Sequence, residues 1–108
     1  MSAPPFVVNV RSRRGSVLVG NPDGAALNLR VQMPDIWDVV RIVAAPGASV
    51  ADVKRAALDA LAPGADEARY VMKLRGIEVL DESQPLTEAG AIDGSIFLLT
   101  HRRRRPVR

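Results

Sequence analysis

Between Leu27 and Ala45 two runs place apolar residues at every second position, with a single break between them. Leu27, Leu29, Val31 and Met33 alternate with Asn28, Arg30 and Gln32; Pro34-Asp35 interrupts; Val39 to Ala45 resumes, with Val40, Ile42 and Ala44 on one face. A period of two is the pattern of a half-buried strand, and the short gap makes the pair an antiparallel hairpin. A sheet with one apolar face must bury that face against another layer. The next segment supplies the layer. Pro46-Gly47 stops the strand, and Ser49 with Asp52 three residues on forms a capping box, Asp standing in for the usual Glu. Val50, Val53, Ala57 and Leu61 then fall on one helical face, with Lys54, Arg55 and Asp59 elsewhere, and Pro63-Gly64 ends the helix.

The rest of the chain reads as strands again. Tyr70–Leu74 is a third strand, Gly76 a tight turn and Ile77–Leu80 a short fourth strand. Leu86–Ala91 is a brief helical turn, Asp93-Gly94 a reversal and Ile96–Thr100 the last strand. This order predicts an α+β fold, ββαββ, with one helix across a mixed sheet. The last strand, being the most apolar, is expected at the centre beside the first. Before Leu27, Phe6–Val10 and Ser16–Val19 are β-branched runs around Arg11–Gly15, and Asn21-Pro22-Asp23-Gly24 suits a type I turn. Residues 1–26 are therefore either an extra β-hairpin or an arm, 27–101 the domain, and 102–108 a basic tail.

Composition narrows the chemistry. At 108 residues the chain suits one core, and 47% hydrophobic with 25% charged residues is the balance of a folded globular domain. No apolar run approaches the roughly 18 residues of a membrane span, and Met1–Pro5 lack the start of a secretory signal; an integral membrane protein is not expected. With no cysteine and one histidine, His101, neither a thiolate site nor a histidine cluster can form. No metal, no cofactor and no catalytic residue is expected. The serines have no neighbouring histidine in sequence, and no glycine-rich loop carries a phosphate-binding lysine.

Charge is distributed unevenly. Eight of the fifteen basic residues lie at the ends: Arg11, Arg13 and Arg14, then Arg102, Arg103, Arg104, Arg105 and Arg108. Seven remain against twelve acidic residues, so the body is acidic and its ends basic.

The stretch 27–101 resembles a ubiquitin-like β-grasp domain. The resemblance rests on Pro46 before the capped helix, on Val50, Val53 and Lys54 within it, and on Leu74-Arg75-Gly76 at the turn. It rests above all on the run Leu86 to Leu99, which is similar to the leucine-x-x-x-glycine-isoleucine-x-aspartate-glycine run of bacterial ubiquitin-like proteins, with Ala91 inserted. That group includes the small YukD-type proteins that accompany type VII secretion systems. The resemblance implies a bacterial, cytoplasmic, non-catalytic interaction module or adaptor whose partner is another protein. Conjugated members of the superfamily act through a C-terminal Gly-Gly; no glycine follows Gly94 here, so a covalent modifier is not expected.

Ubiquitin also presents an apolar patch on the open face of its sheet. Alternation from the third strand assigns Met72, Leu74, Ile96 and Leu98 to the helix side, and Val71, Lys73, Phe97 and Leu99 to the open face as candidate partner contacts. Lys73 stands where ubiquitin has its central patch isoleucine. Either that face is a partner site, or the segment Phe6–Val19 folds over it. Trp37, the only tryptophan, is expected to pack against Val39 and the N-terminal arm, an interface anchor being the alternative. The sheet edge beside the second strand is a further place for a partner strand. The alternative function is nucleic-acid association through Arg11, Arg13, Arg14 and Arg102–Arg105, although one Trp, one Tyr and two Phe are few for base stacking.

Overall fold

The computed structural model describes residues 7–8, 16–19 and 26–102. The alternating pair forms as expected: β3 (Leu27–Met33) and β4 (Asp38–Ala44) are antiparallel, in register from Leu27↔Ala44 to Met33↔Asp38. The break at Pro34 is one 3-10 turn, Pro34–Ile36, closed by the Trp37 N–H donating to the Pro34 carbonyl. Ahead of them lie β1 (Val7–Val8) and β2 (Ser16–Val19), themselves antiparallel. After α1 (Val50–Leu61) come β5 (Tyr70–Leu74), β6 (Ile77–Glu78), the short α2 (Leu86–Ala89) and β7 (Ile96–His101).

The strands make one mixed sheet in the order β1-β2-β4-β3-β7-β5-β6. β7 lies inside the sheet, parallel to its neighbour β3 and antiparallel to β5. Helix α1 crosses one face. Its capping box closes as the sequence indicates: the Ser49 hydroxyl accepts from the Asp52 N–H, and the Asp52 carboxylate accepts from the Ser49 N–H. The next two helical N–H groups, of Val50 and Ala51, donate to the Gln84 and Glu82 carbonyls, so the loop before α2 serves as the rest of the cap. Val50, Val53, Ala57 and Leu58 are buried against Leu29, Val31, Ile42, Met72, Phe97 and Leu99 of the sheet. The β5–β6 hairpin turns through Arg75-Gly76, both at positive φ, the backbone a two-residue turn between twisted strands requires.

One of the open alternatives and one expectation fail here. The described N-terminal residues do not fold over the open face. β2 lies in the plane of the sheet, parallel to β4 from Ser16↔Arg41 to Val19↔Ala44, with Val17 and Val19 buried on the helix side. The chain's own β2 thus fills the edge beside β4 that had been open to a partner strand. The last strand is also out of phase with the expectation. Leu74↔Phe97 and Met72↔Leu99 are cross-strand partners, so all four side chains share the helix side. Phe97 and Leu99 are 0% exposed.

Candidate interaction face

The face turned away from α1 is built by the residues that alternate with the core. Its rows follow from the register. Val39 of β4 stands beside Gln32 of β3, Gln32 beside Leu98 of β7, and Leu98 beside Lys73 of β5. One row along, Arg41 stands beside Arg30 and Arg30 beside Ile96. Ile96 is 43% exposed and Val39 48%, and Leu98, in the row of Val39, is half-buried.

Trp37 extends this apolar strip beyond the sheet. It occupies the hairpin tip with left-handed backbone (φ 55) and is 93% exposed. That corrects the expected packing against Val39: the indole is bare, and with Gln32 and Val39 it lines an open cleft of about 300 Å³. Left-handed backbone costs a residue with a Cβ about 1–2 kcal/mol, and exposing an indole forgoes the burial that usually offsets such a cost. Neither property helps the fold.

Of the four residues expected on the open face, Lys73 and Val71 are there and Phe97 and Leu99 are not; Ile96 and Leu98 take their place. Val71 lies outside the central core cluster yet is buried. With Lys73, Glu78, Thr100, Arg102 and Asp35 it lines a cleft of about 500 Å³ at the end of β7, so of the original four Lys73 alone remains an accessible contact. The phase of β7 had one legible sign: Thr100 and Arg102 are polar and share parity with Ile96 and Leu98.

Arg102 is tied to the body rather than trailing from it. Its N–H donates to the Arg69 carbonyl, its Nε donates to the Ala68 carbonyl at 3.2 Å, and its guanidinium lies 3.9 Å from Glu78. Arg103, Arg104 and Arg105, like Arg11, Arg13 and Arg14, lie outside the described residues. Among the described residues no group of three or more His, Asp or Glu is placed to hold a metal ion, and no helix is long and apolar enough to cross a membrane.

The chain is similar in structure to ubiquitin-like domains from distant organisms. The C-terminal ubiquitin-like domain of mouse tubulin-specific chaperone e superposes with a TM-score of 0.64 at 16% identity, over 82% of this chain and all of that one. Ubiquitin of Caldiarchaeum subterraneum gives 0.63 at 17%, over 76% of this chain and all of that one. A ubiquitin-like domain of an Arabidopsis thaliana protein gives 0.61 at 16%, over 82% and 92%. No family model matches the sequence, and neither does any curated protein. The protein has the ubiquitin-like β-grasp fold, extended at one edge by β2 and β1.

Proposed function

We propose that this ubiquitin-like module is a non-catalytic adaptor that binds a partner protein through the open face of its sheet. The observation that carries the reading is Trp37, a fully exposed indole on strained backbone beside the exposed Val39, with Leu98 and Ile96 continuing the strip. Exposed aromatic anchors bordered by aliphatic side chains are the usual centre of a protein interface. Ubiquitin-like domains commonly mediate protein interactions. Lys73, in place of an apolar patch centre, makes the surface different from ubiquitin's own, so a dedicated partner is expected. The likeness of Leu86–Leu99 to small bacterial ubiquitin-like proteins supports a place as a cytoplasmic accessory of a multiprotein system such as a secretion machine.

The test compares wild type with Ile96→Asp and Trp37→Ala as baits in lysate of the source organism. Both variants should melt within about 1 kcal/mol of wild type, as surface changes do. A specific protein retained by wild type and lost with both variants is the expected result. The emission of Trp37 should also shift to the blue when that protein is added. Equal retention by all three baits would place the partner site elsewhere. Retention that depends instead on residues 103–108, and is competed by RNA, would favour nucleic-acid association.

A further inference from the structure

The open face carries a charge arrangement that folding alone does not explain. Arg30 and Arg41 are direct cross-strand partners on adjacent β3 and β4, both on the open face and both exposed. Like charges directly opposite one another destabilise a sheet. Proteins usually relieve such a pair with a carboxylate nearby. Here the ion pairs of the described residues are Lys54–Glu82, Arg55–Asp52, Arg55–Glu67, Arg69–Asp66 and Arg102–Glu78; none involves Arg30 or Arg41. The acid at that end of the sheet, Asp93, turns its Oδ1 to the backbone N–H and side-chain amide of Asn28 instead. Arg30 and Arg41 line a cleft of about 350 Å³ with Asn28, Val43 and Gly94. Ile96, exposed beside Arg30, borders it on the β7 side.

We infer that Arg30 and Arg41 form an anion clamp for the partner, and that the partner segment is an acidic stretch of protein carrying aliphatic side chains. The inference rests on the open-face reading above and names the chemistry that the face selects. Two adjacent guanidiniums can take one carboxylate between them or one each, with charge-assisted hydrogen bonds. Val39, Ile96 and Leu98 alongside offer aliphatic contact. Single-stranded nucleic acid sites pair their cations with aromatic planes on which the bases stack, and the side chains flanking this pair are aliphatic. An acidic, leucine- or valine-bearing segment satisfies both halves of the surface, and its bound carboxylate removes the repulsion that the free protein carries.

The probe is a capped synthetic peptide of alternating Glu and Leu, titrated into 15N-labelled full-length protein. A Lys–Leu peptide and poly-uridylate RNA are the comparison ligands. The Glu–Leu peptide should shift the amides of Arg30, Arg41, Val43 and Ile96, and the Lys–Leu peptide should not. Arg30→Gln and Arg41→Gln should each weaken that binding about tenfold and flatten its salt dependence. Neither should lower the melting temperature, because each substitution relieves the like-charge pair; weaker binding with equal or higher stability is the signature that a merely structural arginine would not give. Glu–Leu shifts on the open face that persist undiminished in the double variant would leave the open-face reading intact and overturn the clamp. No shift on that face with the Glu–Leu peptide would overturn both. Tighter, Arg30- and Arg41-dependent binding of poly-uridylate would overturn the protein partner in favour of RNA.

Discussion

Lys54 shows what a pattern of apolar residues cannot reveal. Periodicity put it off the buried face of α1, yet the residue is 3% exposed. Its ammonium donates to the Glu82 carboxylate at 2.7 Å and to the Tyr70 carbonyl at 3.0 Å. A buried cation needs partners, and both come from segments distant in sequence, so nothing local marks the position. The pair joins α1 to the loop that also caps it. Breaking one half should therefore cost more than replacing the cation. Glu82→Ala is expected to destabilise by about 2 kcal/mol, discounted from the value for fully buried pairs because Glu82 is partly exposed. Lys54→Met should cost well under half of that, since it leaves no buried charge behind. Urea unfolding of the two variants checks the order; a larger loss for Lys54→Met would mean the stem and its packing matter more than the charge.

At the level of elements, the sequence specified most of what lies between Leu27 and His101. The proline break, the Ser49–Asp52 box, the Pro63-Gly64 stop and the Arg75-Gly76 turn are local signals, and each structure they specify is local too. Phase is different. Leu27–Met33 alternates, so its buried face can be read directly. Ile96-Phe97-Leu98-Leu99 is apolar throughout, and a continuous run carries no period to say which half faces the helix. Only the register with β3 and β5 settles it, through Val31↔Phe97 and Leu74↔Phe97. Two truncations on this strand make the phase measurable. Phe97→Ala should cost about 3–5 kcal/mol, as large-to-small changes in a packed core do. Ile96→Ala, one residue earlier on the open face, should cost less than about 1 kcal/mol. Comparable losses at the two positions would contradict the register. The same ambiguity of phase moved Phe97 and Leu99, half of the candidate contact residues, from the open face of the sheet to its helix side.

On the scale of the whole molecule, two loop carboxylates contribute to the fold's response to acid. Hydrogen bonds from the Ser83 hydroxyl and then the Ser83 N–H hold Asp81 below the ordinary aspartate value. Asp93 is held down first by the Asn28 N–H and then by the Asn28 side-chain amide. A carboxylate lowered in this way stabilises the folded state at pH above its unfolded pKa, and that contribution disappears as pH falls through the folded pKa. Folding stability should thus be flat near neutrality and decline below the ordinary aspartate range. Ser83→Ala removes the larger of its two causes and should return most of the Asp81 shift, whereas Asn28→Ala removes the smaller of the Asp93 pair and should return less. Carboxyl titration by NMR reads both; equal recovery at the two sites would contradict the assigned causes.

The position of β2 has a consequence for how the protein comes into being. Ser16–Val19 leave the ribosome before Arg41–Ala44, the segment that receives them, has been made. Between the two, β3 must emerge and turn back through Trp37 to create the seat. β2 is therefore held in waiting, its Val17 and Val19 without shelter until the hairpin behind it has closed. Assembly runs backward against synthesis at this border: β2 is translated before β3 and β4, yet it can dock only after both are in place.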